Sequence, residues 1–248
     1  MHMNLKYNTD HLWYLIITVS IILVLVMPGI IPFVPAESSN NQNVFTIDSK
    51  PYGLTYGEWT AKWWQWAFST PKETNAVLDE NGKNCAQGQS GPVWFLAGTF
   101  GGSVVRECTI PAEKSILFPI LNSECSYAEF PALNTESELR DCAKTFQDQV
   151  TQVETTIDGM PLQGLDKYRV QSPLFNLTLP ENNALGIQMP FTQSVSDGNW
   201  VFLKPLTPGK HEIHFSGAGV DYTTTSTNTF ATETTYHLTV KPDLFSIN

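Results

Sequence analysis

Four tryptophans fall within eight residues: Trp59, Trp63, Trp64 and Trp66. Rows of indoles stack on sugar rings or seat in a membrane interface, so these four are candidate ligand-stacking residues. The plainer expectation is packing. Trp59, Trp63 and Trp66 recur at spacings of four and three on one helical face, with Trp64 and Gln65 outward. Asn122 and Glu124 are the candidate polar pair of a cleft, at the end of a predicted strand beside Cys125. Turn capping is the alternative for them. His214 and His237 are candidate ligands for copper or zinc if they meet across a strand pair, with Glu212 or Asp221 as a third donor. His211 cannot join His214, because strand side chains alternate between faces; ordinary strand residues are the alternative for all three. Asn176-Leu177-Thr178 is an N-glycosylation acceptor, usable at Asn176 only if its strand lies at a sheet edge.

No local pattern supplies a catalytic residue. Nucleophile elbows, phosphate loops, dinucleotide-binding glycines, HExxH and Ser/His/Asp arrangements are absent. Glu58 follows Thr55 by three residues and is explained as a capping residue. Asp79-Glu80-Asn81-Gly82-Lys83 lacks the closing glutamate of a calcium loop and reads as an Asn-Gly turn. The sequence therefore implies no cofactor and leans away from an enzyme. Carboxylate pairs of the glycosidase kind carry no obligatory motif and stay open.

The four cysteines, Cys85, Cys108, Cys125 and Cys142, are even in number and lack a C-x2-C pair. That disfavours a zinc site and favours two disulfides in an oxidising compartment. Three pairings are open; a hairpin of the first two predicted strands would bring Cys108 back to Cys85 and favours that pair, leaving Cys125 for Cys142.

The elements that position these residues follow from period and punctuation. Residues 1–36 contain an apolar run from Leu12 to Val26, then Pro28, Gly29, Pro32 and Val34-Pro35-Ala36. This is a signal peptide cut after Ala36 or an uncleaved membrane anchor, the stretch 12–34 being long enough to cross ~30 Å of hydrocarbon. Residues 37–50 are polar and read as a spacer. A Thr55/Glu58 capping box opens a helix over 54–70 and a Thr135/Glu138 box opens another over 135–150. Strands are predicted over 93–99, 104–110, 115–121, 153–157, 168–178, 200–203, 211–215 and 234–240, bounded by Gly, Pro or Asp-Gly. The Thr-rich stretch 219–233 is a long loop or a polar edge hairpin.

The net charge is −10, with Lys6 and Asp10 cancelling inside the leader. An acidic surface repels phosphate backbones, which disfavours nucleic acid as a partner.

Tyr56-Gly57-Glu58-Trp59 with Trp63-Trp64-Gln65-Trp66, and the stretch from Cys85 to Gly98 (CAQGQSGPVWFLAG), resemble a group of exported, uncharacterised prokaryotic proteins. Residues 108–112, 118–122 and 208–211 are similar to that group too. The resemblance spans most of 51–240. It implies export and one continuous β-rich domain, and transfers no activity.

The resulting expectation is a mainly β protein: a single jelly-roll-like β-sandwich over 51–248, with an N-terminal Trp-rich helix and one helical insertion. It is expected to work outside the cytoplasm, secreted or anchored through the leader. Its expected role is to bind an envelope or extracellular ligand, a glycan among the options, without catalysis. The alternative is a carbohydrate-active enzyme using paired carboxylates.

Overall fold

The computed structural model describes residues 40–221 and 228–242. Two compact units are distinguished, Met1–Glu37 and Ser38–Asn248. The expected leader lies outside the described residues. Among those described, no helix is long and apolar enough to cross a membrane.

The second unit is mainly β, with two five-stranded sheets and two α-helices. The first sheet runs β1 (Val93–Phe95), β3 (Ser115–Ser126), β8 (Phe191–Leu203), β6 (Arg169–Gln171), with β7 (Phe175–Thr178) also on β8. The second runs β2 (Gly102–Pro111), β10 (Asn228–Lys241), β9 (Gly209–Asp221), β4 (Val150–Ile157), β5 (Met160–Pro161).

Alternation along β3 and β8 assigns the layers. Ile116, Phe118, Val201 and Leu203 share one core with Ile110, Ile213, Phe215, Tyr236 and Leu238 of the second sheet. Leu117, Trp200 and Phe202 point the other way, into a second core with helix α1 (Tyr56–Phe68). Helix α2 (Glu136–Gln147) packs Leu139 and Ala143 on Cys125 and Val195, towards the other end of β3 and β8. Both helices open with the expected reciprocal capping boxes, Thr55/Glu58 and Thr135/Glu138.

Several expectations change. Residues 43–47 are not a spacer. Val44 is buried and bridges Leu203, Phe45 N–H donates to Phe202 O at 2.8 Å, and the Phe45 ring meets Phe202 edge-on. The first two predicted strands form no hairpin: β1 pairs in parallel with β3, and β2 in parallel with β10. The strand expected over 168–178 is broken by Pro173 into β6 and β7. Helix α2 stops at Gln147, so Val150 begins β4 instead of completing the helical stripe. The stretch expected as a loop or edge hairpin is in large part β9 and β10, and β10 lies inside its sheet between β2 and β9.

Gly82 shows how the cysteines are brought together without a hairpin. Its φ is +89°, and a Cβ there would lie 2.1 Å from Glu107 O. The 79–85 segment therefore runs against β2, with Glu107 N–H donating to Asn81 O at 3.0 Å. Next to this contact Cys85 bonds to Cys108, with Cα atoms 5.9 Å apart. Cys125 bonds to Cys142 at a Cα separation of 6.1 Å, tying β3 to α2. Two disulfides indicate an oxidising, extracytoplasmic environment.

Arg106 anchors the same region from inside. It is 1 % exposed. Its guanidinium donates to the carbonyls of Val77, Asp79, Ala97 and Gly98 and to Tyr236 Oη.

Candidate functional site

β1 covers only Ser115–Leu117 of β3. Beyond that point no described strand pairs with the outer edge of β3. The β3–β8 register shifts between Pro119 and Leu121, which flips the alternation and sets Asn122 opposite Gly198 and Glu124 opposite Ser196. Gly198 is required there, because a Cβ would come within 2.5 Å of Asn122 Cβ. The uncovered stretch borders an open cleft of about 340 Å³. A neighbouring recess of about 220 Å³ shares Trp64, Phe68, Phe100, Leu121, Asn122 and Phe230 with it.

The walls of the cleft are aromatic. Trp64 and Phe68 come from α1, Phe130 from the turn before α2 and Phe146 from its last turn, and Phe100 and Phe230 from the approach to β2 and from β10. Its polar residues gather on one side: Asn122, Ser123, Glu124, Glu129, Gln147 and Gln149. Among the described residues no Lys, Arg or His lines it.

The two carboxyl groups of Glu124 and Glu129 lie within hydrogen-bonding reach of each other. Burial pushes Glu124 well above the usual carboxylate range, and the hydrogen bond and charge of Glu129 add to this. A hydrogen bond from Ser194 Oγ to Glu124 Oε2 works the other way. Ser126 Oγ holds Glu129 in place, donating to its Oε2 at 2.6 Å. Among the described residues no protein donor reaches Glu124 Oε1, which is buried. Asn122 Nδ2, Gln147 Oε1 and Trp64 Nε1 are also buried without a hydrogen-bond partner.

Asn122 and Glu124 are among the residues that line this cleft. Glu129, Gln147 and the aromatic wall were not anticipated. They come from α1, the approach to β2, the 127–133 turn, α2 and β10, and only the fold brings them to the edge of β3.

The tryptophan row is differently placed. Trp59, Trp63 and Trp66 are buried against the first sheet, and their Nε1–H groups donate to Pro51 O, Leu96 O and Gln87 O. Trp63 meets Trp200 edge-on, at 5.4 Å between ring centroids. These rings are packing residues and present no stacking face. Trp64, expected to face outward, is buried as well, as part of the same core as Trp59, Trp63 and Trp66. A groove of about 460 Å³ is lined in part by Trp59 and Trp66, beside Lys62, Gln65 and Asn176.

His214 and His237 lie diagonally on one face of the β9–β10 pair, since Thr235 is opposite His214 and Glu212 opposite His237. They do not form a shared site. His214 Nδ1 bonds Thr235 Oγ1 at 3.0 Å, and His237 Nδ1 bonds Glu107 Oε1 at 2.9 Å, with Glu212 3.4 Å from its Nε2. Among the described residues no group of three or more His, Cys, Asp or Glu could hold a metal ion. Asn176 is exposed on β7, which pairs only with β8, so the edge position its glycosylation requires is met.

No family model, no curated protein and no solved structure matches the chain.

Proposed function

We propose that this chain is an extracytoplasmic, non-catalytic binding protein, and that its ligand enters the aromatic cleft at the uncovered edge of β3. The observation that carries this reading is the coincidence, in one open cleft, of an apolar aromatic wall with buried, unpartnered polar atoms on Asn122, Glu124, Gln147 and Trp64. A buried polar atom without a partner costs about 1–3 kcal/mol. Several at one cleft are what a protein carries when a ligand completes them.

In this reading the leader 1–36 delivers the domain across a membrane and is then cut or kept as an anchor. The two disulfides support the compartment. The two sheets around one core support a β-sandwich, and a jelly-roll path is the finer form of that proposal.

The carbohydrate-active alternative has weaker support. Glycosidase carboxyls flank the scissile bond at roughly 5 Å or more, whereas Glu124 and Glu129 are in contact. The glycan-stacking role is also weakened, because the Trp rings are turned inward.

The test is a thermal-shift screen of small amphiphilic molecules on wild type and on Asn122→Leu. Ligands that stabilise wild type and fail to stabilise the variant support the cleft. Ligands that stabilise both equally would place binding elsewhere.

A further inference from the structure

The charge pattern of the cleft says more than that something binds there. We infer that the cleft takes a small organic cation, a protonated amine on an apolar or aromatic body, whose ammonium sits against Glu124 and Gln147. This deepens the binding proposal and rests on it.

Three observations select that class. The polar side carries two carboxyls, and no basic side chain lines the cleft among the described residues. An anionic ligand would meet uncompensated like charge in a poorly solvated place. Second, two of the buried unpartnered atoms there are acceptors, Glu124 Oε1 and Gln147 Oε1. A primary ammonium brings three donors and no acceptor, so it fits both. Asn122 Nδ2 is a remaining donor and suits an oxygen near the amine. Third, the wall supplies aromatic rings from several directions, the environment in which a desolvated cation is held by ring faces.

The proton balance is definite. Without ligand, burial and the neighbouring Glu129 favour a proton on Glu124. The ammonium replaces it: an N–H donates to Glu124 Oε1, and the carboxyl proton leaves to solvent. The ligand keeps its own charge, and no covalent bond changes. Glu129, from the 127–133 turn, is the only other titratable group lining the cleft among the described residues. The residues that α1, α2, β4 and β10 contribute to it are Trp64, Phe68, Phe146, Gln147, Val150 and Phe230, all uncharged.

The experiment is isothermal titration of the full chain with three probes of one shape: phenethylammonium, phenethyl alcohol and phenylacetate. It is run at mildly acidic pH in two buffers of different ionisation enthalpy, on wild type, Glu124→Gln and Phe100→Ala. The expected result is that the amine binds about tenfold or more tightly than the alcohol, that the acid does not bind, and that amine binding releases a proton. Glu124→Gln weakens the amine about tenfold, abolishes proton release and leaves the alcohol unchanged. Phe100→Ala, at an exposed ring, weakens the amine and keeps the proton release. Alcohol or acid binding as well as the amine overturns the cation assignment and leaves the cleft as a binding site. Failure of all three probes on wild type overturns both.

Discussion

Glu124 and Glu129 sit side by side at the uncovered edge of β3, each held by a serine hydroxyl, Ser194 for the first and Ser126 for the second. Neither has a cation beside it in the cleft they line. Burial and the neighbouring carboxyl favour the protonated form of Glu124, and the consequence for folding follows from that.

Glu124 has its proton affinity raised in the folded state, first by burial and then by Glu129. A raised carboxyl contributes its full stability below the ordinary carboxyl value, about 4.3. That contribution is lost as pH rises from there through the raised folded-state value. Wild type should lose up to about 1.4 kcal/mol per pH unit relative to Glu124→Gln across this window. Urea denaturation of both proteins at several pH values checks it. Parallel pH profiles would show that Glu124 ionises in the fold as it does in the unfolded chain.

Arg169 and Asp197 join β6 to β8 through two bonds, Nε to Oδ1 and Nη2 to Oδ2, both 2.9 Å, and Asp197 is 4 % exposed. Arg169 also reaches Asp148 at the end of α2, at 2.8 Å. Asp197→Asn leaves this partly buried guanidinium with one carboxylate fewer. It should cost about 2 kcal/mol, less than the 3–5 kcal/mol of a fully buried pair. Chemical denaturation measures it, and a change under about 0.5 kcal/mol would mean that Asp148 alone suffices.

Arg106→Met removes a donor from the carbonyls of Val77, Asp79, Ala97 and Gly98 at once. The expected loss is at least about 3 kcal/mol, read as a fall in the denaturation midpoint. Trp63→Ala should cost about 3–5 kcal/mol for its cavity. Phe100→Ala, at a ring 57 % exposed, should stay within about 0.5 kcal/mol. Equal losses for Trp63 and Phe100 would contradict the separation of packing rings from cleft rings.

The disulfides should separate in the same way. Each closes a short loop, 23 and 17 residues apart in sequence, and should contribute about 3 kcal/mol. Cys125→Ser with Cys142→Ser also loosens α2, which carries Phe146 and Gln147, so it should weaken binding in the cleft. Cys85→Ser with Cys108→Ser should destabilise without that effect. Probe titrations of the two double variants distinguish them.

What the sequence reveals is mostly local. Capping boxes at Thr55/Glu58 and Thr135/Glu138 locate both helices because the signal lies within four residues. The even cysteine count and the missing C-x2-C indicate disulfides, although the pairing of Cys85 with Cys108 is made by the Gly82 contact and not by a hairpin. The first part of β8 is hidden because its buried positions, on both faces, include Ser194, Ser196, Asp197 and Asn199, polar residues that break the apolar alternation. Strand-period reading sees hydrophobicity, not the hydrogen bonds that make such residues tolerable. Asn122 and Glu124 stand out as polar residues in an apolar strand. Glu129 does not, because its meaning depends on a turn that returns it to β3.

The central claim is that the cleft beside Glu124 is where this protein binds its ligand. Aromatic-resolved NMR of the labelled protein, titrated with phenethylammonium, tests it most directly. Shifts are predicted to concentrate on Phe100, Phe130, Phe146 and Phe230, with Trp59 and Trp66 unmoved. Shifts centred on Trp59 and Trp66, or none at any aromatic ring, would contradict the account.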